Sequence, residues 1–212
     1  MANLITITNV LGVCATNCYT VVNTQTREAI VVDPADRAEF LIQMWKEQNI
    51  HPVAVFLTHG HFDHIGALAQ IKKEFPELVV YAGEEEKDVL GNPAVNLSEM
   101  FGFSMSAQAD VYVKEGSEIK ILGSTCHCFH VPGHTKGGIC YYFPEEKLLY
   151  TGDTLFHYSV GRSDFPTGDA MALEENIREK LLTLPEDVLV YPGHEDKTTI
   201  GKEKKGNPFF AR

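Results

Sequence analysis

A histidine cluster, THGHFDHIGA at residues 58–67, closes an apolar run that begins at residue 53. It places three of the nine histidines of the chain and one aspartate within six positions. Crowded imidazoles repel one another once they are protonated, so the cluster is an unfavourable choice for an ordinary turn. One interpretation is a polar surface turn. The other is a metal site, because neutral imidazole and carboxylate are common ligands of zinc and iron.

The same pattern recurs at three further points of the chain. The stretches CFHVPGHTKGG, KLLYTGDTLF and VLVYPGHEDK each run from an apolar strand through glycine to histidine or aspartate, as VFLTHGHFDH does. Glycine permits the sharp exit from a strand, and strand ends are where α/β folds usually build their sites. The residues delivered in this way are His59, His61, Asp63, His64, His134, Asp153 and His194. Such a set favours a metal site over a surface turn.

The spacing within the first cluster agrees with this interpretation. His59 and His61 are two apart on extended backbone, so both can face one ion. Asp63 and His64 follow at the start of the next predicted helix and can face a second ion. Seven ligands are too many for one four-coordinate zinc, but they suit two ions that share a carboxylate.

Composition narrows the class of partner. The 212 residues carry a net charge of −11, with 29 acidic against 18 basic side chains, which disfavours a nucleic-acid substrate. No apolar stretch approaches the roughly 20 residues that a membrane helix needs. The N-terminal MANLITITNVLG lacks the basic segment of a signal peptide, so we expect a cytoplasmic protein that acts on a small molecule. Composition leaves the oligomeric state open.

Periodicity predicts two sheets with helices packed outside them, in a single domain over residues 1–212. Residues 83–109 are the least periodic part, and we expect an insertion at about 90–109. The five cysteines are expected to be free thiols, since they are odd in number and lie within strands. Predicted helices cover residues 35–49, about 65–75 and about 170–183. Predicted strands cover 3–8, 18–23, 28–33, 53–58, 78–82, 118–122, 125–131, 139–143, 147–151 and 188–192.

The motif H-x-H-x-D-H at 59–64, with G-H at 133–134, G-D at 152–153 and G-H at 193–194, resembles the metallo-β-lactamase superfamily. The resemblance extends over nearly the whole chain, including NCYTVV (17–22) and VVDP (31–34). It implies an α/β fold, an αββα sandwich of two mixed β-sheets flanked by helices. By the same resemblance His59, His61 and His134 hold a first metal, Asp63, His64 and His194 hold a second, and Asp153 bridges them.

Two flanking stretches, TGDTLFHYSVGRSDFPTGD and HEDKTTIGKEKKGNPFF, resemble the short bacterial glyoxalase II (hydroxyacylglutathione hydrolase) type. That resemblance implies two divalent metal ions per chain, zinc in the first place with iron or manganese as alternatives. It also implies hydrolysis of an acyl-thioester such as S-lactoylglutathione, with Asp63 orienting the metal-bound hydroxide. The longer glyoxalase II enzymes bind glutathione with a C-terminal helical domain, and the 212 residues are expected to be too few to include one. Residues 90–109 are then the candidate to form a wall of the substrate site in its place.

Candidate substrate contacts are Arg162, Tyr158 and Lys202, although for Arg162 we favour a structural pair with Asp164. Asp33, at a strand end, is expected to accept hydrogen bonds that brace the histidine loop. A competing function comes from a second resemblance. A persulfide dioxygenase has the same sandwich and a similar GR-x-DF stretch, but it uses a single iron held by two histidines and one aspartate.

Overall fold

A computed structural model describes residues 3–211 of the chain. Its first six strands form one mixed sheet in sequential order. They are β1 (Leu4–Leu11), β2 (Thr16–Asn23), β3 (Glu28–Val32), β4 (His51–Phe56), β5 (Val79–Gly83) and β6 (Val111–Val113). Strands β1 to β3 are antiparallel, whereas β3 to β6 run parallel to one another. The parallel arrangement brings the carboxyl ends of β3, β4 and β5 to one edge.

The second half of the chain forms another mixed sheet, in the order β14-β13-β10-β9-β8-β7. Its only parallel pair is β10 with β13, so these two strands also end at a common edge. A separate hairpin of β11 and β12 follows β10. The strands are β7 (Glu118–Ile121), β8 (Ser124–His130), β9 (Ile139–Phe143), β10 (Leu148–Gly152), β11 (Leu155–Phe156), β12 (Ser159–Val160), β13 (Leu189–Pro192) and β14 (Thr198–Thr199).

Three apolar clusters lie between the successive layers of the molecule and hold them together. The middle cluster lies between the sheets, where the rings of Phe56 and Tyr141 are 4.6 Å apart. The outer face of the first sheet packs against helices α1 (Ala38–Glu47) and α3 (Leu68–Glu74), around a fully buried Trp45. The outer face of the second sheet packs against α5 (Ala170–Asn176) and the turn that follows it, through Leu173 and Ile177. Helix, sheet, sheet and helix follow in order, which confirms the predicted αββα sandwich.

The helices differ from the predicted spans in instructive ways. The helix predicted at 65–75 is the shorter helix Leu68–Glu74, and the preceding helix ends at Ile65, where the Ala67 N–H leaves the helical pattern and donates to the Pro34 carbonyl oxygen at 2.9 Å. The helix predicted to 183 ends its α-helical part at Asn176 and continues as one π-helical stretch. The helix over the C-terminal tail and the β11–β12 hairpin were not predicted. The α-helices are α1 (Ala38–Glu47), α2 (Phe62–Ile65), α3 (Leu68–Glu74), α4 (Lys87–Gly91), α5 (Ala170–Asn176) and α6 (Ile200–Gly206).

The expected insertion begins at the end of α4 and contains a 3₁₀ turn at Ser98–Phe101 and an extended segment that leads to β6. It is anchored to the helix that carries the histidine motif: the carbonyl oxygen of Asn96 accepts the Phe62 N–H at 2.9 Å. The Phe62 ring also contacts the rings of Phe101 and Phe103, with centroids 4.4 and 5.4 Å away. The insertion therefore lies beside the histidine motif.

All five cysteines are free thiols, as expected, and four of them are buried in strands. Cys126 and Cys128 both point into the core between the sheets. Over residues 3–211 there is no helix with the length and apolar character that crossing a membrane requires.

Candidate metal centre

The seven histidines and aspartates of the motif meet at the edge where strands of both sheets end. The first histidine loop (residues 58–64) follows β4, and the second histidine loop (residues 131–138) follows β8. Asp153 follows β10 and His194 follows β13. Backbone hydrogen bonds tie these exits together, from Ile139 N–H to the Thr58 carbonyl at 2.8 Å and from Gly193 N–H to the Gly152 carbonyl at 2.8 Å. The structure thus brings all seven residues to one place.

Three imidazoles converge in the first group. His61 Nδ1 lies 3.1 Å from His59 Nε2 and 3.0 Å from His134 Nε2, and the last two atoms are 3.3 Å apart. His134 Nδ1 donates to the carbonyl oxygen of Arg162 at 2.6 Å, so its Nε2 directs a lone pair at the other two rings. Three ring nitrogens facing one another at this distance suit a cation held between them.

The second group contains one carboxylate and two imidazoles. Asp63 Oδ2 lies 3.5 Å from His64 Nε2 and 3.4 Å from His194 Nε2. Thr16 donates its hydroxyl to the same Asp63 oxygen at 2.8 Å and so fixes the carboxylate. These three ligand-type side chains lie close enough together to hold a second ion.

Asp153 lies between the two groups. Its Oδ2 is 3.6 Å from His134 Nε2 in the first group and 3.4 Å from His194 Nε2 in the second. Its Oδ1 is 3.4 Å from His64 Nε2. A carboxylate that reaches both groups has the position needed to bridge two ions. The His/Asp cluster as a whole can therefore hold a dinuclear metal site.

The protonation states suit metal binding in the first group. Burial lowers the pKa of His61 to about 3 and lowers the pKa values of His59 and His134, so these rings are neutral ligands at pH 7. The pKa of His64 is raised well above its ordinary value because the carboxylates around it outweigh its burial. His64 Nε2 and Asp153 Oδ1 are buried without a hydrogen-bond partner, and a metal would satisfy both atoms.

Two of the strand exits need glycine for space. Gly193 packs so closely that a Cβ there would lie 2.2 Å from Asp153 Oδ1 and 2.8 Å from His64 Cε1. Gly152 has φ of +50°, and a Cβ would lie 2.1 Å from the Thr58 hydroxyl oxygen. Gly152 is thus required by its backbone conformation, and both glycines are required by the tight convergence of the loops.

Asp33 braces the first histidine loop, as the sequence predicted. Its carboxylate is buried and accepts hydrogen bonds from the Thr58 N–H at 2.8 Å and the Thr58 hydroxyl at 2.7 Å. It also accepts the Nδ1–H of His64 at 2.9 Å, which leaves His64 Nε2 free to face the second group. Asp33 therefore sets both the orientation and the tautomer of this ring.

Glu86 is a second support, and nothing in the sequence singled it out. It is fully buried, and its Oε2 accepts the N–H of Gly60 at 2.7 Å. Its Oε1 accepts the Thr135 hydroxyl at 2.5 Å and the Gly137 N–H at 3.0 Å. Burial raises the pKa of this carboxyl to about 7, against the effect of the three donors. The Glu86 side chain thus holds both histidine loops together by hydrogen bonds.

The three candidate substrate contacts lie in two different places. Arg162 makes a two-point contact with Asp164, at 2.9 and 2.8 Å, which confirms the structural pair. Its guanidinium also lies 4.2 Å from the ring of Phe165, and that ring is 5.9 Å from His61, so Arg162 lies near the first group. Tyr158 and Lys202 instead line an open surface cavity of about 400 Å³. Residues of the two ligand groups do not line it.

A two-sheet sandwich with this ligand set at its edge defines a class of protein, and the comparison of the sequence with known families identifies the same class. Residues 11–194 match the metallo-β-lactamase superfamily, and the chain belongs to that superfamily. Among its relatives is hydroxyacylglutathione hydrolase GloC of Haemophilus influenzae. The two are 37% identical over 190 residues, which span 87% of this chain and 88% of the relative.

Three solved structures of different proteins share this fold. BLEG-1, a B3 metallo-β-lactamase, superposes with a TM-score of 0.93 at 38% identity and covers 98% of this chain and 100% of its own. TTHA1623 in a di-iron-bound form gives 0.85 at 32% identity, covering 96% and 100%. ETHE1 from Myxococcus xanthus gives 0.80 at 29% identity, covering 96% and 83%. These similarities confirm the fold.

Proposed function

We propose that this protein is a dinuclear metal-dependent hydrolase that cleaves an acyl-thioester. The observation that carries the proposal is the position of Asp153, a carboxylate that is only 13% exposed and lies between two ligand groups, each with three side chains within reach of one ion. The similarity to hydroxyacylglutathione hydrolase GloC supports a thioester as the substrate. The natural partner is then a small molecule, with S-lactoylglutathione as the reference substrate.

In this proposal the first ion is held by His59, His61 and His134 and the second by Asp63, His64 and His194, with Asp153 shared between them. Bound metals supply Lewis acidity toward the carbonyl oxygen and make water acidic enough to attack at neutral pH. Zinc is the metal we propose, and the di-iron form of TTHA1623 makes iron the first alternative to test.

The residues of this chain have defined tasks around that chemistry. The Arg162 carbonyl keeps the proton of His134 on Nδ1, and the Asp33 carboxylate keeps the proton of His64 on Nδ1. Asp63 is held through Oδ2 by the Thr16 hydroxyl, and we propose that its other oxygen orients the attacking water. The thiolate leaves without a dedicated general acid, because a thiolate is a weak base and therefore a good leaving group.

A persulfide dioxygenase is the second candidate. It is favoured by the similarity to ETHE1 and by the proximity of three residues that can bind a single iron. His59 Nε2 and His134 Nε2 are 3.3 Å apart, and Asp153 Oδ2 lies 3.6 Å from the latter atom.

Two assays on one metal-loaded preparation separate these functions. We expect free thiol to be released from S-lactoylglutathione under nitrogen, because hydrolysis consumes water and needs no oxygen. We expect no oxygen uptake with glutathione persulfide. The control is the same protein after treatment with a chelator, which should release no thiol. Oxygen uptake by a protein with one bound iron, without thioester turnover, would contradict the hydrolase and favour the dioxygenase.

A further inference from the structure

A cavity of about 220 Å³ opens beside the second ligand group. Asp63 belongs both to that group and to the wall of the cavity. We propose that this cavity, here called the acyl subsite, binds the apolar acyl chain of the thioester. The proposal rests on the hydrolase function proposed above and specifies its substrate class: thioesters with a straight apolar acyl chain of several carbons, in preference to acetyl or lactoyl.

Two segments that are distant in sequence form the walls of the acyl subsite. Gly12 and Val13 come from the turn between β1 and β2, whereas Phe103 and Met105 come from the insertion. Phe62, beneath them, is buried and contacts the Phe103 ring at 5.4 Å between centroids. The insertion thus supplies an apolar wall next to a ligand of the proposed second ion.

The walls also expose apolar surface that has no partner within the described residues. The side chain of Val13 is 86% exposed and that of Phe103 is 42% exposed. When an apolar ligand removes such exposed side chains in a cavity wall from water, the free energy falls. Their contiguity with Asp63 makes a part of the substrate the appropriate ligand.

The charge of the cavity decides which part of the substrate it accepts. The charged residues in its wall are Asp36 and Asp63, and among residues 3–211 no lysine or arginine lines it. Glutathione carries two carboxylates, which these aspartates would repel. An acyl chain carries no charge. The acyl group therefore enters the acyl subsite, and the thiol portion points away toward Arg162 and Phe165.

The reaction in this orientation is ordinary hydrolysis. Water adds to the acyl carbon, the carbon–sulfur bond breaks, and the products are a carboxylic acid and a free thiol. The acid retains the acyl chain, so it is the product that the acyl subsite would bind.

The test compares two thioesters of one uncharged thiol, S-acetyl- and S-hexanoyl-N-acetylcysteamine, with metal-loaded protein. We expect kcat/KM to be roughly ten- to hundred-fold higher for the hexanoyl substrate, since each methylene adds buried apolar surface. Phe103→Ser should reduce this ratio about tenfold or more. Phe209→Ser is a matched control, because Phe209 is 43% exposed and lies near the C-terminus, outside the acyl subsite.

A binding measurement distinguishes failure of the acyl subsite from failure of the hydrolase. Titration calorimetry with hexanoate and acetate should show tighter binding of hexanoate to the wild type and to Phe209→Ser, but not to Phe103→Ser. If neither thioester is cleaved and this pattern remains, the acyl subsite stands and the hydrolase does not. If hexanoate binds no more tightly than acetate, or if Phe103→Ser keeps the preference, the acyl subsite is overturned, whatever the thioesterase activity.

Discussion

Replacing Asp153 with alanine is expected to remove both metal ions together and to lower the rate of thioester hydrolysis by roughly 10³-fold or more. The reason is that the Asp153 carboxylate contacts histidines of both ligand groups, at 3.6 Å in the first and 3.4 Å in the second. In the proposed hydrolase two bound metals would provide several kcal/mol of transition-state stabilisation, and each 1.4 kcal/mol or so corresponds to a factor of ten in rate. Elemental analysis of the purified variant and the thiol-release assay measure the two effects.

Asp164→Ala is the matched control for this substitution. Asp164 is also an aspartate, on the loop after β12, but it is exposed and pairs with Arg162. We expect its metal content to match that of the wild type. If Asp153→Ala retained two ions per chain and the full rate, the bridging role would be wrong. Loss of a single ion would mean that Asp153 belongs to one group alone.

The second large effect is expected at Glu86. In Glu86→Gln, an amide NH₂ replaces one of two oxygens that each accept a backbone N–H, from Gly60 or from Gly137. Whichever way the amide is turned, one of these buried N–H groups loses its acceptor, which costs about 1 to 3 kcal/mol. Because the carboxylate clasps both histidine loops, we also expect metal affinity to fall roughly 10- to 100-fold.

Glu203 offers a close match for Glu86. It too is fully buried, and its oxygens accept from the Thr198 hydroxyl, the Tyr158 N–H and the Asn207 amide, away from the ligand groups. Glu203→Gln should lower the free energy of unfolding by less, because the Thr198 hydroxyl can turn to accept from the new amide, and it should leave metal affinity unchanged. Chemical denaturation and competition with a chelator measure the two quantities. Equal metal affinities in the two variants would reduce Glu86 to a structural role.

Much of the site could be predicted because strands impose regular placement. The apolar run at 53–58 forms β4, a central strand between β3 and β5, and its end delivers the first histidine loop. Since β3 and β4 are parallel, with Val32 opposite Phe56, Asp33 and the loop that carries Thr58 emerge at the same edge of the sheet. The parallel pair β10 and β13 places Asp153 and His194 together for the same reason.

The parts that could not be predicted depend on contacts between segments that are distant along the chain. Glu86 stands in the acidic stretch GEEEKD, which resembles a solvated surface helix, and only the approach of both histidine loops makes it a buried acceptor. The acyl subsite likewise pairs Val13 with Phe103, and neither local sequence points to the other. The sequence predicts that residues 90–109 form a wall of the substrate site, but it does not indicate which segment lies opposite them.

The number of metal ions bound per chain tests the dinuclear site most directly. The protein would be stripped with a chelator, loaded with excess zinc or iron in separate samples, freed of unbound metal by gel filtration and assayed by elemental analysis. Seven ligand-type side chains in two groups that share Asp153 predict two ions per chain, with thiol release rising as the second ion is bound. Saturation at one ion per chain with both metals, at full activity, would contradict the dinuclear hydrolase.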